Sequence, residues 1–240
     1  LGTDTVTGER VAVRRAALGD GAGARAERDA LRREARLLAR LGRAGLAART
    51  LALIGRQDAL HLVRAHVPGR PLDTWVAERL PQDGAPGVPW AQARPVALAL
   101  AALVGGARAE GLPLASLSPG HVVVRPDGAV RLTGTAACAE PGSLAAARAR
   151  RGADGQALGA LLFLLATGRL PLLAEDFPEA RPGTPEPPSA TARLSRWLAA
   201  AARQGETARR LAPVVLGLRA ADPAQRWTAD RARAVLAVAH

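Results

Sequence analysis

Lysine, methionine, tyrosine and asparagine do not occur in the 240 residues, isoleucine occurs once, at Ile54, and Cys138 is the single cysteine. A lone cysteine excludes an internal disulfide framework and fits a reducing compartment. The longest apolar runs, 96–104 and 158–166, fall far short of the roughly 20 residues that span a bilayer. No basic stretch leads into an apolar one, as a secretory signal would require. Aromatic side chains are scarce, at four tryptophans and two phenylalanines.

The residues that are missing have A/T-rich codons, so the bias reads as genomic before it reads as functional. All 33 basic residues are arginine, against 21 acidic ones, which leaves a formal net charge of +12. Such a charge invites a nucleic-acid or anionic-membrane partner. The arginines are dispersed along the chain, however, and six aromatics offer little for base stacking. No nucleic-acid partner is expected. With 48% apolar and 22% charged residues the chain is globular, and its length suits one compact domain or two small packed lobes. It opens at Leu1 without a methionine, so it is expected to be part of a longer product, with any membrane segment lying outside it.

Residues 4–16 read as a hairpin around a Thr-Gly-Glu turn, with a strand at 11–13. "GDGAGA" (19–24) reads as a connector. It does not read as a phosphate loop, since the Gly-Lys-Ser/Thr ending is missing. From Glu27 to about Leu41, Leu31, Ala35, Leu38 and Leu41 recur at helical spacing. Two strands follow, turning at Gln57 and Asp58. Beyond Pro71 the pattern is helical: a short segment at 71–80, a buried helix from Trp90 with Pro95 in its first turn, and another over 152–168. Three more segments are expected at 192–203, 208–220 and 228–238. Between them, "HVVVRPDGAVRL" (121–132) is a hairpin signal, a Pro-Asp-Gly turn between β-branched runs. Residues 175–190 are a Pro-rich, locally acidic loop. A strand-rich first third and a helical remainder predict an α+β protein in two lobes, with a truncated β-rich N-lobe over 1–67, a helical C-lobe over 68–240 and a hinge near 67–71.

This order of elements, with its local words, resembles the protein kinase family, particularly the bacterial Ser/Thr kinases of high-GC organisms. "TDTVTGERVAVRRA" looks like the strands in which a lysine follows Val-Ala-Val; Arg14 stands there. "LRREARLLARL" is similar to the helix whose glutamate pairs with that lysine, here Glu34. "LASLSPGHVVV" sits where His-Arg-Asp-(four residues)-Asn is found, and "LTGTAA" where Asp-Phe-Gly is found. "RAADPAQRWTADRARAVL" resembles the closing Asp-Pro-x-x-Arg-x-Thr helix pair. The likeness implies one kinase-like domain, and it also shows where the chemistry is missing.

Phosphoryl transfer needs hard oxygen ligands for Mg²⁺, a cation on the phosphates and a carboxylate that takes the acceptor's proton. At the base position stands Ser116, at the metal-binding asparagine His121, and at the metal-binding aspartate Gly134. The Gly-rich phosphate loop is expected to lie before Leu1. Codon bias explains Arg14 and the lost asparagine. It does not explain Ser116 or Gly134, because aspartate is used freely at Asp73, Asp127, Asp154 and Asp222. Arg64 falls at the gatekeeper position and would crowd an adenine pocket unless an acid draws it aside. The activation segment, 137–154, is short, lacks Ala-Pro-Glu and holds Ser143 as its one hydroxyl residue. Asp154 matches the acid that ties down the catalytic loop's backbone, while Leu38 and Leu114 keep apolar packing.

Plainer roles stand beside these. Arg14 and Glu34 are a lobe-organising ion pair more than a phosphate clamp. His121 lacks a second His or Cys for a metal site, and as a base for a Ser116 nucleophile it lacks an elbow context. Asp127 is a turn residue, Cys138 a small hydrophobe, and the arginine face of helix 25–43 a solvated surface or a docking face. The expectation is a pseudokinase that acts as a regulatory, protein-binding module, without catalytic residues, metal or cofactor. Its nearest flavour is the actinobacterial kinase-like domains attached to MurJ/MviN-type lipid II flippases, which implies a cytoplasmic location, free or as the cytoplasmic part of a membrane protein. The alternatives are a nucleotide-binding or weakly active Ser/Thr kinase and, third, a basic domain attaching to nucleic acid or anionic membrane.

Overall fold

The computed structural model describes residues 1–17, 21–56, 58–112, 114, 117–134, 144–170 and 190–239, with side chains excepted at 144–153 and 190–191. Ser116, Cys138, Ser143, the Ala-Pro-Glu position and most of the Pro-rich loop lie outside the described residues. Two compact units form, 1–72 with 103–154, and 73–102 with 155–240.

In the first unit a four-stranded antiparallel sheet has the order β1-β2-β4-β3, from β1 (Gly2–Thr3), β2 (Arg10–Ala17), β3 (Thr50–Gly55) and β4 (Ala59–Ala65). A hairpin forms with a longer second strand than expected, but its first strand is 2–3 and the expected Thr/Val strand is turn over 5–7; Asp4 caps that turn by accepting the backbone N–H groups of Val6 and Thr7. One helix, α1 (Ala22–Arg43), packs on this sheet, burying Leu31, Ala35, Leu38 and Leu41 together with Glu34. It begins earlier than Glu27, so 22–24 of the expected connector are helical instead: Ala22 and Ala24 favour helix enough to extend the apolar stripe upstream. Arg40 and Arg43 in its last turn complement the negative helix end.

A second sheet joins β5 (Arg70–Pro71), β6 (Val122–Val124) and β7 (Val130–Leu132) in that order. Gly69 makes its first pairing possible. Its φ is +144°, and a Cβ there would stand 2.3 Å from the Val124 carbonyl oxygen, so only glycine fits. The Pro-Asp-Gly turn closes as expected, with Asp127 accepting the Ala129 N–H at 3.0 Å and Gly128 at positive φ. Leu132 then ties this hairpin to the chain leaving α1: its N–H donates to Leu46 O at 3.0 Å and its carbonyl accepts Ala48 N–H at 2.7 Å.

Helices make up the second unit. It receives most of α2 (Leu72–Ala77), the first part of α3 (Trp90–Ala109) and the later part of α4 (Leu144–Thr167), with all of α5 (Ala190–Gln204), α6 (Glu206–Leu218) and α7 (Ala229–Val238). Leu158, Leu161, Leu162 and Phe163 are buried, as are Leu198, Leu211, Val215 and Leu236. Pro95 lies one turn further into α3 than expected. The backbone of α4 is helical from Leu144, so the stretch expected as an activation segment is already helix over 144–154. Arg226 of the Asp-Pro-x-x-Arg word donates to the carbonyls of Ala220 and Ala221, and Thr228 caps α7 by accepting the Arg231 N–H. Among the described residues no helix is long and apolar enough to cross a membrane.

Candidate functional site

The helical period that sets Leu31, Ala35 and Leu38 against the sheet also places Glu34 there, at 3% exposure. A buried carboxylate needs compensation, and two strands supply it. Arg14 on β2 donates from Nη1 to Glu34 Oε2. Arg64 on β4 brings Nη1 to 3.8 Å from Glu34 Oε1. Residues opposite in an antiparallel ladder share a face, and the ladder pairs Arg14 with Leu62 and Ala12 with Arg64. Arg14 and Arg64 therefore stand on one face, the one that carries the fully buried Leu62.

The two cations differ. Arg14 is 44% exposed, whereas Arg64 is 12% exposed. Both Nε and Nη1 of Arg64 are sealed from solvent without a hydrogen-bond partner among the described residues. Burial pulls its pKa down; Glu34 opposes that and Arg14 reinforces it. The acid expected to draw the gatekeeper arginine aside is thus Glu34 itself.

His121 closes a short 3-10 turn, Pro119–His121, just before β6. Its carbonyl accepts the N–H of Thr133 at 2.9 Å and the Thr133 hydroxyl at 3.3 Å, which fixes the next residue, Gly134, beside it. A Cβ on Gly134 would stand 3.1 Å from His121 Cδ2 and 3.2 Å from Glu34 Oε1. Those contacts are tight, so a side chain there would need His121 and Glu34 to give by a few tenths of an ångström. Arg14, Arg64, Glu34, His121 and Gly134 converge on one cluster; Ser116, the base position, lies outside the described residues. Asp154 is buried, accepts the Leu114 backbone N–H and leaves Oδ1 unpartnered. Burial raises its carboxyl to about 6, against the opposing pull of that N–H and of Arg108. It ties the chain at Leu114, as the resemblance implies.

Solved structures share this architecture. Rad53 (1–466) in complex with AMP-PNP superposes with TM-score 0.66 at 20% identity, over 96% of this chain and 58% of that one, so this chain spans less than two thirds of its length. The pseudokinase DRIK1 (drought responsive inactive kinase 1) bound to ENMD-2076 gives TM-score 0.65 at 17% identity, over 98% and 84%. The fold is that of the protein kinases. A further pseudokinase solved in its apo form gives TM-score 0.65 at 16% identity. No protein-family model matches the chain, and no curated protein matches its sequence. At such identities the likeness fixes the fold alone, and active and inactive proteins share it.

Mg²⁺ with a nucleoside triphosphate is what this fold implies, and the cluster does not fit the metal. Glu34 is the acid nearest Gly134, and two guanidiniums already compensate it; a dication there would meet their positive charge. Among the described residues no group of three His, Cys, Asp or Glu is arranged to hold a metal ion. Sequence reasoning missed the sharing of Glu34 by two arginines and the contact of His121 with Gly134. The first had a signal, since Leu62 and Arg64 are two apart on one strand and so face the same side.

Proposed function

We propose that the chain is a pseudokinase, a kinase-fold module that binds a partner protein and transfers no phosphoryl group. The observation that carries this reading is Gly134, which stands where a metal-binding aspartate would and where a Cβ would already press on His121 and Glu34. Electrostatics support it: the carboxylate beside that position faces two arginines, one of them largely enclosed. The pseudokinases among its structural neighbours accord with an inactive fold. Regulation through a protein partner, a cytoplasmic setting and kinship with the bacterial, flippase-linked kinase-like domains are parts of the proposal that rest on the sequence resemblance.

A nucleotide-binding reading has one observation in its favour: the Arg14–Glu34 pair keeps the cation that a kinase fold sets against phosphates. Thermal unfolding with and without Mg-ATP separates the two. A ligand at a hundred times its dissociation constant stabilises the folded state by about 2.7 kcal/mol. No shift is expected; a saturable rise overturns the reading.

A further inference from the structure

Among the described residues the two sheets of the first unit have four edges, and three of them are short or covered. β1 and β5 are two residues long, and β5 ends in Pro71. The outer edge of β7 is tied to the chain leaving α1, where Leu132 donates to the Leu46 carbonyl and accepts the Ala48 N–H. β3 is different. It ends the order β1-β2-β4-β3 and runs six residues, Thr50–Gly55, without a charge or a proline to blunt it. Its ladder on β4 shifts register between Thr50 and Ala52 and is regular from Ala52 to Gly55. An edge strand turns half of its backbone groups away from the sheet. Among the described residues no backbone group of 51–55 bonds outside the β3–β4 ladder.

Both faces of this edge are apolar. Ile54 lies two residues on from Ala52, whose row continues through Val63 to Val13. Leu53 lies on the opposite face, in the row of the fully buried Leu62. Leu53 and Ile54 are 41% and 40% exposed. Charge then selects the occupant. Two exposed arginines bracket the strand: Arg49 holds Glu9 at 3.1 Å, and Arg56 has no side-chain partner among the described residues. A second copy pairing antiparallel through the same strand in full register would set arginine ends against each other, like charge on like. An extended segment with an uncharged, β-branched centre and acidic residues at both ends meets the apolar edge and both arginines.

We propose that the outer edge of β3 docks such an acid-flanked segment of a partner protein, which joins the sheet as a fifth strand. This rests on the partner-binding reading above and names its surface. Backbone bonds to 52–55 hold the segment, Leu53 and Ile54 meet its side chains on the two faces, and Arg49 and Arg56 fix its ends.

The test titrates a fluorescently labelled peptide, Glu-Glu-Thr-Val-Ile-Val-Glu-Glu, with the whole chain at low ionic strength, and follows amide hydrogen exchange of the chain alongside. Saturable binding is expected, with exchange slowed at 51–55. Proline in place of the central isoleucine removes a ladder donor and is expected to weaken binding about tenfold. Lysines in place of the glutamates are expected to abolish it. Arg56→Glu is expected to weaken the acidic peptide about fivefold and to improve the lysine-ended one, a reversal that a loss of packing does not produce. No saturable binding up to about 1 mM, protection elsewhere than 51–55, equal binding of the lysine-ended peptide, or dimerisation of the chain through this edge would each overturn the assignment. None of these outcomes bears on phosphoryl transfer; label transferred from ATP would overturn the pseudokinase reading and leave peptide binding in place.

Discussion

Arg64 Nη1 stands 3.8 Å from Glu34 Oε1 without a hydrogen bond, while Oε2 of the same carboxylate accepts from Arg14. By resemblance, Arg14 stands where a kinase sets its phosphate-binding lysine, Glu34 where that lysine's partner acid stands, and Arg64 at the gatekeeper position. Here they compensate one another, and the acid that organises them is the most buried of the three.

That asymmetry predicts unequal mutants. Glu34→Gln leaves two guanidiniums, one of them largely enclosed, without a counter-charge, and is expected to cost up to about 3 kcal/mol, the low end for a buried pair because Arg14 is half exposed. Arg64→Leu removes a poorly compensated cation and leaves Glu34 with Arg14, so it is expected to cost less than about 1 kcal/mol or to stabilise. Urea denaturation measures both. Equal losses would show that Arg64 is the principal partner of Glu34.

Reinstating the aspartate should not reinstate chemistry. Gly134→Asp would press its Cβ on His121 and Glu34 and set a second carboxylate beside the first. Overpacking of this kind costs about 1–3 kcal/mol, and the like charges add to it. A lower melting temperature with no added dependence on Mg²⁺ is expected. A variant that is stabilised by Mg²⁺ would show that the position still accepts a metal ligand.

Asp154 gives the fold a pH dependence of defined sign. Its folded carboxyl titrates near 6 against an ordinary value of 3.8, so between those values the folded state holds a proton that the unfolded chain has released. The stability this group contributes is complete below about pH 4 and is lost as pH rises through about 6. Asp154→Asn removes the titration and keeps an acceptor for the Leu114 N–H. Its melting temperature relative to the unaltered chain is expected to rise between pH 4 and pH 7; a flat difference would place the carboxyl at its ordinary value.

Much of the fold was legible because local rules and tertiary packing agree. The stripe Leu31, Ala35, Leu38, Leu41 gave α1 and its buried face, and Pro126-Asp127-Gly128 gave the β6–β7 turn. Where the two diverge, boundaries moved: Ala22 and Leu144 begin helices upstream of the expected starts, since nothing in their immediate sequence stops a helix. Within the site, the Arg14–Glu34 pair followed from the resemblance. The second cation and the closure of Gly134 by His121 depend on how strands and turn approach α1, which no local pattern encodes.

The most direct measurement is transfer of labelled γ-phosphate from ATP with Mg²⁺ or Mn²⁺, to the chain itself and to a general acceptor protein, with Glu34→Gln run in parallel. No label above that of the variant is expected, because the cluster offers no carboxylate free to hold a metal. Label that survives rigorous purification and is lost in Glu34→Gln would contradict the account.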